Sequence, residues 1–421
     1  MSTSSIRRSR ARVTASAALG MLLVGIATVP AHAEGTRGQQ WQLDAFGAEE
    51  IWQLSKGEGV TVAVIDSGVD KNNPDLRGQV LRGKDFAPDE SGDEYTDQDG
   101  HGTHMAGLIA GTGRRDGGNG AFGLAPAAKI LPVRMPGDAG KNQTAGDAEF
   151  NQIAPEAIRF AADSGAKVIN ISMAVKTGSP ELTDAVKYAL DKGALVFAGV
   201  GNDAQVGNPL MYPAATPGVV GVGAVDNKGT RVPSSQHGPQ VDIVAPGKDV
   251  VAACGGGTGV CKSTGTSDAT ALASAAAALI WAEHPDWTNN QVLKVMLNTI
   301  AAPAEGGKRS DYIGYGAVRP LRALKTPGDP GPADVRPIDD LSETVMPSAS
   351  ASASAEPAPA EPAPAEPAPA ESSVAPAPAP APVASSDEDG GNTGLWIGLG
   401  IGAAVLIGAA VAVPVLRSRR S

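Results

Sequence analysis

The sequence predicts a three-layer α/β fold, with a mostly parallel central sheet and helices on both of its faces. Two observations carry this expectation. Short β-branched runs at 60–65 (VTVAVI), 167–171 (KVINI), 195–200 (LVFAGV) and 219–225 (VVGVGAV) lack regular polar alternation, as strands buried on both faces do. Alanine-rich stretches at 104–111, 155–164, 181–192 and 267–283 read as helices, and strands separated by helices indicate parallel pairing. In sheets of this kind function gathers at the carboxyl ends of the strands, so each motif is judged by its distance from a strand end.

The fold accounts for only part of the 421 residues. Residues 1–33 begin with RRSRAR, continue as an apolar stretch and end in Ala31-His32-Ala33, the layout of a secretory signal cut after Ala33. Residues 34–325 form the folded body. Residues 326–394 hold twelve acids against one arginine, and EPAPA repeats run from Glu356 to Glu371. Such a composition cannot bury a core and favours polyproline II. The 34 residues of 351–384 would reach roughly 100 Å as an extended stalk. Residues 395–416 carry no charge and are followed by RSRRS at 417–421. At 1.5 Å per residue this run covers about 33 Å, enough to cross a bilayer with the arginine tail on the cytoplasmic side. The expected molecule is therefore a single-pass membrane protein with its body outside the cell. A net charge of −11 excludes nucleic acid as a partner, because phosphate neutralisation needs a basic face.

Three motifs fall beside strand ends. Asp66 closes the first strand in VAVIDSGVD, His101 opens a helix in DGHGTHMAG, and Ser267 opens the long helix in STGTSDAT. A carboxylate, an imidazole and a hydroxyl are the parts of an acyl-transfer relay. A serine at a helix N-terminus also has free backbone N–H groups nearby for a developing oxyanion.

VAVIDSGVD, DGHGTHMAG, INIS, GVGN and GTSDAT together resemble the subtilisin-like serine peptidases, the subtilases, over residues 41–322. The resemblance implies a subtilisin-like fold, Asp66, His101 and Ser267 as catalytic triad, and Asn202 of GVGN as oxyanion-hole donor. It implies that Ser172, Met173 and Ala174 bind substrate backbone and line the first specificity pocket. Ala174, where the family pattern has glycine, should narrow that pocket toward small or medium side chains. Signal, short extension, body, proline-rich stalk and span are together similar to the membrane-anchored mycosins of type VII secretion. By that likeness the short extension at 34–40 lies against the body, and the 33 residues from Glu34 to Asp66 leave no room for a folded propeptide.

The largest departure from the family pattern is Asp268, which follows the nucleophile where GTSMATP has methionine. Its charge suits a helix N-terminus but opposes an oxyanion forming beside it. His104, three residues after His101, reads as a supporting histidine, since no H-E-x-x-H zinc motif is present. Cys254 and Cys261 are the only cysteines, and an exported location favours a disulfide between them. The acidic stretch 85–99 reads as a solvated loop. Subtilases often bind calcium, but no D-x-D-x-D-G spacing is present, so no cofactor or metal is assigned.

Two functions fit. One is a membrane-tethered extracellular serine endopeptidase that cleaves exported proteins or peptides, linked to type VII secretion. The other is a weakly active or inactive scaffold that stabilises a secretion-system membrane complex.

Overall fold

The computed structural model describes residues 35–341, apart from 138–139, 256–258 and 304–305. The signal, nearly all of the stalk, the 395–416 span and the tail lie outside the described residues. Among the described residues no helix is long and apolar enough to cross a membrane.

Among those residues, nine strands follow one another: β1 (Thr61–Asp66), β2 (Lys84–Asp85), β3 (Lys129–Arg134), β4 (Val168–Ile171), β5 (Leu195–Gly199), β6 (Val220–Val225), β7 (Ile243–Pro246), β8 (Val250–Ala253) and β9 (Val260–Ser263). The first seven form one sheet in the order β2-β3-β1-β4-β5-β6-β7. Every pairing in it is parallel. β8 and β9 make a separate antiparallel hairpin, with Ala252 opposite Cys261. The helices, in chain order, are α1 (Trp41–Phe46), α2 (Ala48–Leu54), α3 (His101–Ala110), α4 (Gln143–Asp163), α5 (Pro180–Asp191), α6 (Thr266–Glu283), α7 (Asn289–Thr299) and α8 (Pro320–Lys325).

The pleat sorts each strand between two cores. From β1, Val62 and Val64 join the apolar side chains of α1–α3 and α6–α8, whereas Ala63 and Ile65 join those of α4 and α5. That division gives the predicted three layers. α6 is buried from Thr266 to Trp281 apart from Ser267, and its run of alanines lets it lie close to β4–β7. A helix apolar on every side belongs in a core.

The sequence reading covers β1, β4, β5, β6, α3, α5, α6 and the second half of α4; the remaining elements are added by the structure, and two of those differences fall at prolines. α4 begins at Gln143, capped by the Asn142 side chain, and carries Pro155 in its interior. Phe150, Ala154, Ala157, Ile158 and Ala161 are buried in the second core, and this packing outweighs the roughly 3 kcal/mol cost of an interior proline. β3 lies outside the four runs read as strands, and it carries Pro132 within it. Ile130 N–H bonds Gln79 on the outer side of β3. The missing N–H of Pro132 therefore faces the same side, just before the two-residue β2 begins, where no strand requires it.

The body also continues past 325. Thr288 and Asn290 hold the Ala333 carbonyl at 2.8 and 3.1 Å. Arg336 donates to the Gly218 carbonyl at 2.9 Å while Gly218 N–H donates to Asp340 at 3.1 Å. Residues 326–341, read from sequence as the start of the stalk, are a strap bound to the body. At the other end, residues 35–40 lie against it as well. The buried Gln40 donates to the carbonyls of Phe122 and Val251 at 2.7 and 2.9 Å.

Candidate active site

β1 lies between β3 and β4, the point where the chain reverses its direction of travel across the sheet. Its register brings Ile65 opposite Ile171 and Asp66 opposite Arg134, so Asp66 emerges at the carboxyl end of a central strand. The side chain is buried, and Oδ1 accepts from His101 Nδ1 at 2.7 Å and from Ser67 N–H at 2.8 Å. Oδ2 is buried without a hydrogen-bond partner. The Asp66 charge pushes the His101 imidazole up to about 9 against the opposing effect of burial, with Asp99 and Asp268 adding to the rise. The His101 side chain remains 39% exposed. This pairing orders the ring with Nδ1 toward the carboxylate and leaves Nε2 as the nitrogen for proton exchange. Gly102 lets α3 approach β1 this closely: a Cβ there would stand 2.1 Å from the Gly68 carbonyl.

Ser267 lies in the first turn of α6, and its hydroxyl donates to the Ser172 carbonyl at 3.2 Å. The Ser172 hydroxyl in turn donates to the Ser267 carbonyl at 3.2 Å. The loop after β5 supplies Asn202, which is exposed, and its Oδ1 accepts from Thr266 N–H at 2.9 Å. Because that partner is a backbone donor, the amide oxygen is fixed on it, and the NH2 end is left for an incoming oxygen. The N–H groups of the first turn of α6 have no partner within the helix, so a carbonyl arriving at Ser267 meets donors of two kinds.

Beyond Ser172, Met173 and Ala174 border an open cavity of about 250 Å³, whose other walls include Met135, Phe150 and Glu149. Val175 and Tyr212 exchange backbone hydrogen bonds, both 2.8 Å, beneath it. The structure thus brings Ser172, Met173 and Ala174 to one opening beside Ser267. Cys254 and Cys261 form a disulfide that clips β8 to β9. The hairpin abuts the loop before His101, since a Cβ on Gly255 would stand 3.0 Å from Gly100.

The acidic stretch is less solvated than its composition suggests. Asp85 and Glu90 pair with the buried Arg134 at 3.4 and 3.2 Å. Asp97 accepts from Thr103 N–H at 2.7 Å and from the Ser67 hydroxyl at 2.8 Å, and burial raises its carboxyl above the ordinary value. Asp99 accepts from His101 N–H at 2.7 Å. Among the described residues no group of three or more His, Cys, Asp or Glu side chains is arranged to hold a metal ion. Sequence reasoning passed over Ser67, although it directly follows Asp66 and joins that residue to Asp97 and Asp99.

The profile of the subtilase family matches residues 57–316. The chain belongs to the subtilase family. Subtilisin E of Bacillus subtilis is 38% identical over 238 residues, covering 56% of this chain and 59% of that protein. The chain thus spans less than two thirds of that relative. Among solved structures, the MycP3 protease of the type VII (ESX-3) secretion system is 34% identical with a TM-score of 0.58, covering 68% of this chain and 87% of the other. A chain of the periplasmic assembly from the ESX-5 inner membrane complex is 28% identical with a TM-score of 0.60, covering 73% and 88%. This subtilase is therefore similar both to Bacillus subtilisins and to mycosins of type VII secretion systems, and its seven-stranded parallel sheet has the family's fold.

Proposed function

We propose that this subtilase is a serine endopeptidase, held at the membrane by residues 395–416, that cleaves exported proteins or peptides outside the cell in connection with type VII secretion. The observation that carries the reading is the Asp66–His101 pair at the end of β1, with Asp268, the residue after Ser267, near enough for its charge to act on the His101 ring. In the proposed reaction the Ser267 hydroxyl turns from the Ser172 carbonyl to His101 Nε2. It attacks the substrate carbonyl while the imidazole takes its proton, and Asp66 stabilises the imidazolium. Asn202 and the first-turn N–H groups of α6 receive the oxyanion. His101 then protonates the leaving amine, and water hydrolyses the acyl-enzyme by the same route.

A fluorophosphonate probe should label the folded full-length protein and leave Ser267→Ala unlabelled. Absence of labelling in folded wild-type protein would rule out the enzyme reading. A second reading, a structural member of a secretion complex, is favoured by the likeness to the ESX-5 assembly chain. It expects secretion to survive Ser267→Ala but not deletion of the whole protein. Normal secretion in both strains would remove it.

A further inference from the structure

Asp268, His104 and Ser263 come from three separate segments and meet in the interior beside the nucleophile. His104 lies one turn after His101 on α3, Asp268 directly follows Ser267 on α6, and Ser263 ends β9. His104 Nε2 stands 3.1 Å from Asp268 Oδ1 and 2.7 Å from Ser263 Oγ, and the Ser263 hydroxyl also bonds Asp268 Oδ1. The side chains of His104 and Asp268 are 5% and 2% exposed.

His104 Nδ1 is buried with no hydrogen-bond partner. A bare acceptor lone pair is the cheaper way to leave it, because an N–H there would be a buried donor without an acceptor. The proton of His104 therefore sits on Nε2, directed at Ser263 and Asp268. Asp268 Oδ1 accepts from both. Its other oxygen faces the site: a Cβ on Gly265 would lie 3.7 Å from Asp268 Oδ2 and 3.5 Å from Asn202 Nδ2.

We propose that Asp268, His104 and Ser263 are positioning residues, a buried clamp that fixes the base-bearing helix against the nucleophile-bearing helix, with Asp268 setting the charge at the site. The inference rests on the peptidase reading above. Each helix contributes one reacting side chain and, within a turn of it, one clamp side chain. A slip between α3 and α6 changes the His101–Ser267 distance directly, and a misplacement of about 1 Å can cost about 10²-fold in rate. The carboxylates acting on His101 are Asp66 from β1, Asp99 from the loop before α3 and Asp268 from α6. The groups that meet Asp268 are His104 from α3 and Ser263 from β9. Asp268 thus has two effects of opposite sign: it holds the geometry, and it favours the protonated imidazole that cannot act as base.

Three variants of the full-length protein separate these effects. Asp268→Asn keeps the shape and a hydrogen-bonding oxygen but removes the charge. It should lower the pH at which kcat/KM rises, and NMR should show the His101 ring titrating at lower pH by the same amount. His104→Ala should lower kcat about 10²-fold with KM changed less than threefold, and Ser263→Ala should act in the same direction more weakly. Asp268→Met combined with His104→Leu removes the buried carboxylate and its histidine partner together, and leaves only the half-buried Ser263 hydroxyl to turn to water. It should lose less kcat than the two single losses together predict. An unmoved His101 titration in folded Asp268→Asn would overturn the charge role. Additive losses, or losses in unfolding temperature with kcat unchanged, would overturn the positioning role. The NMR titration does not require turnover, so failure of the peptidase reading would be visible separately, as wild-type protein that titrates normally but resists the fluorophosphonate.

Discussion

Asp66–His101 and Asp268–His104 are chemically alike pairs one helical turn apart on α3, with contacts of 2.7 and 3.1 Å. They differ in what surrounds the ring. The His101 side chain is 39% exposed and His104 is 5% exposed. Water and substrate reach the first ring, so its protonation can change during a reaction. The second ring is sealed and shares its Nε2 contact with Ser263, so its bonds serve as a brace. The same two functional groups thus become a reacting pair or a structural one according to access alone.

The largest test of this contrast exchanges one carboxylate in each pair. Asp66→Asn should lower kcat by about 10⁴-fold by favouring the wrong imidazole tautomer, with little loss of stability. Asp268→Asn should cost far less turnover, and equal losses from the two would mean that both pairs react. Asn202→Ala comes next, with an expected loss of about 10²–10³-fold in kcat and little change in KM. A change in KM alone would make Asn202 a substrate contact and not an oxyanion donor. The mildest test is pH. Asp66, chiefly, raises the His101 imidazole from its ordinary 6.5 to about 9, and the neutral ring is the base. Activity should therefore be low where the ring is charged and climb as pH rises through the raised value. A kcat/KM limb at or below 6.5 would show that the Asp66 charge does not govern the ring.

The reacting pair was legible in the sequence, and the brace was not. Asp66, His101, Asn202 and Ser267 each sit in a short motif whose neighbours are a strand end or a helix start. His104 and Asp268 drew attention separately, as a supporting histidine and an unusual carboxylate. Ser263 carried no local signal at all, and only the fold brings positions 104, 263 and 268 together. The same limit explains the acidic stretch, since Asp97 and Glu90 find partners at Ser67 and Arg134, far along the chain. The sheet was legible where strands are continuous apolar runs. β2, β3, β7 and the β8–β9 hairpin lie outside those runs, β2 being two residues long, β3 broken by Pro132 and β7 ending at Pro246. The early end drawn at 325 has a similar cause. The strap is polar and rich in proline and glycine, and it is bound to the body through side-chain hydrogen bonds and the single buried Ile338, too little apolar surface to show as a pattern in the sequence.

That strap also determines how the body bears load. Arg336 grips the Gly218 carbonyl while Asp340 takes the Gly218 N–H, and Gly218 leads directly into β6, an inner strand between β5 and β7. Tension at Leu341 meets bonds at Gly218, Ala333 and Gly331. The first ties the strap to the lead-in of β6, next to the edge strand β7, and the other two tie it to the start of α7. Asp66, at the carboxyl end of β1, lies three strand positions away from β6 in the same sheet, apart from the point where the strap is held.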